Sequence, residues 1–395
     1  MHERDGRIAV LDGLRGLAIL LVVMTHSFLT GYRPALVAGP IAVGVEPMVL
    51  AGSLGVELFF FLSGFVLFVP FARARLEGRP NPTLAHFFGR RALKILPSYL
   101  VALFAIAFFF YQPPWVLENF WRDIFLHLGF VHTFYYTSMF SIASPFWSLG
   151  TEVQFYLLFP ALAWWMQRQP LFAYGAMLGI GQGFRWWLQH SGNNGNFFWV
   201  CQLPAQMDLF AIGMLCAFAY VWLSKRQRLP RWLPNAATCA ALVALAFGTW
   251  LLNDFSHVTK VGSTADHQAW QNDHRLIVSL TIAVLALGSL FARRWWQRTL
   301  ANPLLLFLSV ISYNLYLWHE AIVVQCSKTG FPCALNADPW RTSRDWGFQY
   351  FWMYVIVSIA LATLMTFAVE RPLLRLRLPE LGTGWWRGAA WFRPR

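Results

Sequence analysis

The sequence predicts an all-α membrane protein, a polytopic bundle of about ten transmembrane helices with both termini in the cytoplasm. Of its 395 residues, 57% are hydrophobic and only 12% are charged. Apolar runs long enough to cross a hydrocarbon core of about 30 Å recur from end to end. The lysine and arginine residues cluster in alternate loops, as they do in proteins that cross a membrane repeatedly.

The predicted spans follow the apolar runs in chain order. They cover residues 8–29, 53–70, 92–110, 147–166, 171–190, 205–223, 236–252, 275–292, 303–325 and 346–369. The first run holds polar residues and lacks a small-residue cleavage site, so we expect it to remain as a helix and not to be removed as a signal peptide. Residues 120–136 are too short and interrupted for a span, which favours a re-entrant or interfacial segment.

The basic residues set the orientation. With the N-terminus inside, these spans place 22 of the 31 lysine and arginine residues on the cytoplasmic side, as the positive-inside rule requires. The net charge of +13 is therefore explained by topology and anionic lipid. It gives no reason to expect a nucleic-acid partner.

We expect residues 1–375 to form one transmembrane domain with no separate soluble domain. The longest predicted loops are exterior and cover residues 30–52, 111–146, 253–274 and 326–345. Residues 376–395 form a short basic and aromatic tail of the kind that lies on a membrane surface. The five cysteines have no metal-ligand spacing. Cys326 and Cys333 share one exterior loop, where a disulfide is one option if the compartment is oxidising.

The first helix carries two ionisable residues, Arg15 and His26. Eleven residues make three turns plus about 20°, so both side chains project from one face, about 16 Å apart along the axis. An isolated pair that neighbouring helices satisfy is one reading. Ionisable groups inside a membrane more often face a partner or a watery cavity, which favours a functional site.

Three other helices place titratable groups at a similar predicted depth near the exterior, namely Glu57, Glu152 and His319. A carboxylate that accepts a hydrogen bond from a histidine can orient it and stabilise its positive charge. We therefore predict that His26 acts as a base and that Glu57 or Glu152 orients it. Tyr313 could line the same cavity beside His319 and contact substrate, although aromatic packing also accounts for it.

A second group lies at the cytoplasmic membrane face. Arg90, Arg91 and Lys94 begin the third predicted helix, at about the depth of Arg15. Topology alone accounts for Arg90, but the run together with an intramembrane arginine is suited to binding phosphates.

The motifs of this chain resemble those of acyltransferase family 3, the integral membrane acyltransferases that O-acylate surface polysaccharides, lipid-linked sugars and some antibiotics. The resemblance covers nearly all of residues 8–375. It rests on these segments in this order: LDGLRGLAILLVVMTHSF, GVELFFFLSGF, FFGRRALKILPSYL, FWSLGTEVQFYLLFP, ISYNLYLWH and VERP.

The resemblance implies that Arg15 and His26 are essential and that the donor is a cytoplasmic acyl-CoA bound with help from the arginine-rich motif. The chain departs from the family in two places. Lys94 stands where a second arginine is common, so the compact charge of an ammonium group replaces a planar guanidinium that can bind phosphate with two hydrogen bonds. Val153 stands where a second glutamate is common, which leaves Glu152 as the sole carboxylate there.

The predicted function is O-acylation in the bacterial cytoplasmic (inner) membrane. The transferred acyl group is most commonly acetyl, and acetyl-CoA or another acyl-CoA is the co-substrate. No metal is expected. The acceptor is a hydroxyl of a cell-envelope or exported polysaccharide or glycolipid. A small molecule such as a macrolide is the alternative acceptor, and a transporter or flippase of lipid-linked sugars is the alternative class. The sequence leaves acceptor, acyl length and direct transfer versus an acyl-histidine intermediate open.

Overall fold

The computed structural model describes residues 8–30, 35–38, 41–109, 117–226, 228–329 and 344–375. Its α-helices in chain order are α1 Ala9–His26, α2 Glu46–Ala51, α3 Leu54–Glu77, α4 Leu84–Phe109, α5 Leu117–Leu128, α6 Phe146–Arg168, α7 Pro170–His190, α8 Phe197–Val200, α9 Leu203–Ser224, α10 Leu233–Val261, α11 Thr264–Phe291, α12 Arg294–Leu300, α13 Pro303–Thr329, α14 Arg344–Met365 and α15 Arg371–Leu374. A π-helical turn, Thr366–Glu370, joins α14 to α15, and 3-10 turns occupy Ser27–Thr30 and His132–Phe134.

The prediction of an all-α polytopic membrane bundle is confirmed. In the described part of the chain, eight helical segments are long and apolar enough to cross a membrane: α1, α3, α4, α8 with α9, α10, α11, α13, and α14 with its continuation to Leu374. The spans predicted at 147–166 and 171–190 form α6 and α7, helices of 23 and 21 residues. These two are long enough to cross but are less apolar than the eight. The cytoplasmic position of the termini stays a prediction.

The predicted exterior loop at 253–274 is wrong, because α10 and α11 extend through it. Only Gly262 and Ser263 separate the two helices. Ser263 caps α11 by accepting a hydrogen bond from the Asp266 backbone N–H, and the Asp266 carboxylate accepts one from the Ser263 N–H at 2.7 Å. This reciprocal capping stabilises the start of the helix.

The predicted loops at 30–52 and 111–146 contain short elements. An antiparallel hairpin pairs β1 Ala35–Ala38 with β2 Ile41–Gly44, and α2 follows it. Helix α5 has 12 residues and is therefore about 18 Å long, shorter than a hydrocarbon core. Its interfacial or re-entrant placement stays a prediction.

The bundle is held by close helix pairs and by an apolar core. Helices α3 and α9 cross at Gly64 and Gly213, where an added Cβ atom would lie 2.3 Å and 2.2 Å from a backbone oxygen of the facing helix. Larger residues would push these helices apart. Helix α1 packs along α13, so His26 and His319 meet. Large apolar side chains also remain exposed, as expected for a surface that faces lipid: Phe109, Leu157, Leu171, Phe172, Val243 and Ile356.

Some sequence predictions fall outside the described residues. These are the tail 376–395, the first seven residues and the proposed Cys326–Cys333 disulfide, of which the second cysteine and the side chain of the first are not described. The division into a transmembrane domain and a tail stays a prediction.

Candidate active site

Two histidines from different helices form the centre of the site. His26 ends α1 and His319 lies on α13, with their ring centroids 4.6 Å apart and an interplanar angle of 81°. The Nδ1 atom of His26 lies 3.1 Å from the Nε2 atom of His319. His319 is fully buried, whereas the His26 side chain is 23% exposed. One imidazole thus supports another that remains accessible.

The hydrogen bonds assign the protons of this pair. His319 donates from Nδ1 to the carbonyl oxygens of Leu315 and Tyr316, at 3.1 and 2.8 Å. Its Nε2 atom is then an acceptor, so His26 donates from Nδ1 to His319 and shares that proton with the Val22 carbonyl at 3.1 Å. The Nε2 atom of neutral His26 therefore carries a lone pair and can accept a proton.

A carboxylate faces this lone pair. The Oε1 atom of Glu320 lies 4.0 Å from Nε2 of His26, and its side chain is 18% exposed. The backbone amide and the hydroxyl of Ser144 also interact with Glu320. If His26 takes up a proton, the new charge lies beside this carboxylate. Glu320 was not among the predicted site residues, although it directly follows His319.

His26 lines a cavity of about 520 Å³, which we call the outer cavity. A buried ion pair forms part of its wall, in which Arg275 of α11 donates to Glu57 of α3 at 2.9 Å. Arg275 also donates to the Oε1 atom of Gln206 at 2.6 Å. Other residues of the wall include Thr25, Trp147, Gln268, Gln271 and Tyr316. The outer cavity thus combines an apolar surface with several polar side chains, and it has a potential base in its wall.

A second cavity, of about 90 Å³, lies beside the first, and we call it the inner cavity. Arg15, Arg91 and Lys94 line it, together with Glu152 and Tyr313. The basic residues expected to bind phosphate, Arg90 excepted, therefore meet in one place. Glu152 accepts a hydrogen bond from the Ser63 hydroxyl at 2.6 Å.

Val56 and Tyr316 line both cavities and form the wall between them. The Tyr316 hydroxyl donates to the Pro145 carbonyl at 3.1 Å and lies 2.5 Å from the Ser148 hydroxyl. Its ring centroid lies 5.8 Å from that of His319. Tyr316 thus lies between the basic inner cavity and the imidazole of His26.

A hydrogen bond and an ion pair join the C-terminal helical segment to two basic residues of α4, Arg90 and Lys94. Lys94 forms an ion pair with Glu370, a buried residue of the π-helical turn. Asn314 donates to the other oxygen of Glu370 at 2.9 Å. One turn earlier on α4, Arg90 donates to the Leu374 carbonyl at 3.1 Å. Glu370 was not among the predicted site residues, although it belongs to the VERP segment.

The structure corrects three of the predicted placements. Glu57 shares the outer cavity with His26 but pairs with Arg275. Glu152 lines the inner cavity, because Ser148 already lies at the dividing wall and Glu152 is about 6 Å further along α6. The expectation that either carboxylate orients His26 is replaced by the contacts of His319 and Glu320. Arg90 is engaged with the C-terminal backbone and is absent from the described lining of the inner cavity.

Tyr313, expected near His319 and the acceptor, lies in the inner cavity instead. Its hydroxyl donates to the Ile95 carbonyl at 2.9 Å, and Lys94 lies 5.4 Å from its ring centroid. Within the described residues, no group of three or more histidine, cysteine, aspartate or glutamate side chains could hold a metal ion. That the protein uses no metal stays a prediction.

Comparison with known proteins identifies the family of this chain. A family model described as an acyltransferase domain matches residues 8–371. The putative membrane-bound transacylase BcsY of Komagataeibacter xylinus is 27% identical over 328 residues, which cover 78% of this chain and 71% of that protein. The peptidoglycan O-acetyltransferase OatA of Listeria monocytogenes is 24% identical over 332 residues, 79% of this chain and 49% of OatA.

A putative O-acetyltransferase of Staphylococcus aureus is 22% identical over 349 residues, 82% of this chain and 52% of that protein. The chain thus spans about half the length of the Listeria and Staphylococcus relatives. No solved structure matches it. Because the family match runs from the start of α1 to the start of α15 and includes both cavities, the chain belongs to the integral membrane acyltransferases of acyltransferase family 3.

Proposed function

We propose that this protein transfers an acyl group, most often acetyl, from cytoplasmic acyl-CoA to a hydroxyl of a cell-envelope polysaccharide or glycolipid. One observation carries the proposal. The imidazole of His26, held by His319, lines the outer cavity, and Val56 and Tyr316 separate that cavity from the inner cavity with its three basic side chains. A base and an anion site are adjacent but distinct.

In the proposed reaction His26 acts as a general base. Its Nε2 atom removes the proton of the acceptor hydroxyl, and the hydroxyl oxygen attacks the thioester carbonyl carbon. A C–O bond forms, the C–S bond breaks, and the proton passes from His26 to the departing thiolate of CoA. His319 fixes the ring during this step, and Glu320 stabilises the transient imidazolium. General bases of this kind contribute roughly 10² to 10⁴ in rate.

The inner cavity is the proposed donor site. Arg15 and Arg91 supply planar forks that suit phosphate oxygens, and Lys94 supplies a point charge. The basic loops favour a cytoplasmic position for this end of the bundle. Arg15 and His26 are about 16 Å apart along α1, so the flexible arm of the donor has to pass the wall formed by Tyr316.

The relatives support an envelope acceptor. OatA is named for O-acetylation of peptidoglycan, and BcsY is named a membrane-bound transacylase. The outer cavity contains amide, hydroxyl and charged groups, which can bind a hydroxyl-rich molecule. We therefore place the acceptor in the outer cavity and on the exterior face.

The test uses oriented vesicles that contain the purified protein. Labelled acetyl-CoA is supplied at the cytoplasmic face, an envelope glycan fraction is placed at the exterior face, and labelled ester is measured. We expect label on the glycan with the wild type and none above background with His26→Ala.

His190→Ala is the matched control, because His190 is exposed at the end of α7 and outside both cavities. Normal product formation by a folded His26→Ala protein would refute the base assignment. Product that forms only when both substrates share the cytoplasmic side would refute the proposed sidedness.

A further inference from the structure

The wall of the outer cavity is rich in buried polar atoms that have no protein partner. The described residues contain twelve such side-chain atoms. Five of them belong to residues that line this cavity: Thr25 Oγ1, Glu57 Oε2, Gln268 Oε1, and Nε and Nη2 of Arg275. Buried polar atoms are nearly always hydrogen-bonded in folded proteins. Their concentration around one cavity indicates that a bound molecule completes these bonds.

The charged members of this set are held in place by the protein. Glu57 is 3% and Arg275 is 2% exposed. Arg275 uses Nη1 for both Glu57 and Gln206, and the Nε2 group of Gln206 is itself fixed by a bond to the Val200 carbonyl at 2.8 Å. One carboxylate oxygen and two guanidinium nitrogens therefore have no protein partner, although the other bonds hold both side chains in place.

These remaining atoms define the chemistry of the ligand. Glu57 and Gln268 offer acceptors, so the ligand has to donate hydrogen bonds, whereas Arg275 offers donors, so the ligand also has to accept them. A hydroxyl group does both. A carboxylate or a phosphate can only accept, so it could bind Arg275 but could not donate to Glu57 or Gln268, and the charge of Glu57 would repel it.

We propose that the outer cavity selects a neutral, hydroxyl-rich sugar and discriminates against acidic sugars, with Glu57 and Arg275 bound to two neighbouring hydroxyl groups. This inference rests on the proposed function, because it names the class of acceptor that is presented to His26. Glu57 is then a residue that determines acceptor specificity, in contrast to the catalytic role predicted from the sequence.

The test is a binding measurement with two probes that differ only at carbon 6, methyl β-D-glucopyranoside and methyl β-D-glucopyranosiduronate. Saturation-transfer NMR on the protein in lipid nanodiscs detects such weak ligands. We expect saturation of the neutral probe and little of the acidic probe with the wild type. Glu57→Gln should raise the ratio of acidic to neutral binding at least about tenfold, because it removes a like-charge repulsion that acts on the acidic probe alone.

Glu46→Gln is the matched control, because it removes an exposed carboxylate that pairs with Lys260 outside the cavity. We expect it to leave the ratio unchanged. The double variant Glu57→Gln and Arg275→Gln keeps a neutral pair in the same place and should lose the discrimination even if the single variant folds poorly.

Two results would overturn the inference: equal or stronger binding of the acidic probe by the wild type, or a ratio that neither variant changes. Acetyl-CoA turnover by the wild type is measured separately. If the wild type does not turn over acetyl-CoA, the proposed function is contradicted, while the ratio of acidic to neutral probe binding still tests the sugar site.

Discussion

Glu320 should contribute to catalysis through the charge that develops on His26. The perturbation is Glu320→Gln, which removes the negative charge but keeps the side-chain shape and an oxygen that can accept from Ser144. The two charged groups would lie 4.0 Å apart in the wild type. At this distance their attraction is about 1 kcal/mol in water and about 4 kcal/mol at an effective dielectric constant of 20.

Both side chains are partly exposed, at 23% for His26 and 18% for Glu320, so a value between these limits applies. We take about 2 kcal/mol, which corresponds to a decrease in kcat of about 30-fold. In the proposed reaction His26 takes up the acceptor proton, and with it a positive charge, as the transition state forms. The loss should therefore appear in kcat, with little change in KM for acetyl-CoA.

The assay is steady-state transfer of labelled acetyl from acetyl-CoA with purified variants in vesicles. Glu320→Asp, which retains the charge at a longer distance, should fall between Glu320→Gln and the wild type. Glu46→Gln serves again as the exposed control. A kcat for Glu320→Gln within twofold of the wild type, with unchanged thermal unfolding, would refute the charge argument.

Three further predictions concern the wall, the donor site and the segment between α4 and α6. Tyr316→Phe removes the hydroxyl that holds this side chain between the two cavities, so the rate of acetyl-CoA hydrolysis without acceptor should rise about fivefold. This factor is the equivalent of about 1 kcal/mol for a lost hydrogen bond. An unchanged hydrolysis rate would contradict a role of Tyr316 in separating the cavities. Lys94→Met leaves the buried carboxylate of Glu370 without its cation and should destabilise the protein by about 3 to 5 kcal/mol, measured by thermal unfolding. Adding Glu370→Gln should restore most of this lost stability. Equal unfolding midpoints for the single and double variants would contradict the pairing. Burial lowers the pKa of His127 to about 3 and the pKa of His132 to about 4. The unfolded chain takes up these protons near pH 6.5, so the two histidines should not reduce the free energy of unfolding above that pH. Between pH 6.5 and pH 4 the free energy of unfolding should fall by up to about 1.4 kcal/mol per pH unit for each histidine. A His127→Gln/His132→Gln variant with an unchanged pH slope would count against this.

The sequence predicted most of the apolar helices because hydrocarbon length and apolar runs are local properties. It failed at residues 253–274 for a physical reason. The start of α11 is polar, yet Gln268, Gln271, Asn272 and Arg275 are buried. Three of these four residues line the outer cavity, so the polar face that suggested a loop is the wall of a site. A search for helix capping at Ser263 would have found this helix.

The shared face of Arg15 and His26 was predictable because both lie on one helix with fixed periodicity. The contact between His26 and His319 joins two helices far apart in the chain, and no single helix encodes it. Neighbouring residues on a helix also point about 100° apart, so the order of His319 and Glu320 does not show which of them faces His26. Packing of α1 on α13 brings both to it.

Pairing of charges explains why Glu57 does not contact His26. A buried charge is stable only with a partner, and the described helices supply one in each case below. Glu57 pairs with Arg275, Asp208 with Arg185, and Glu370 with Lys94. Glu320 faces His26, to which the proposed reaction transfers a proton. A carboxylate beside a group that gains positive charge in the reaction can stabilise the transition state more than the ground state, so we assign Glu320, and not Glu57, to the proposed reaction.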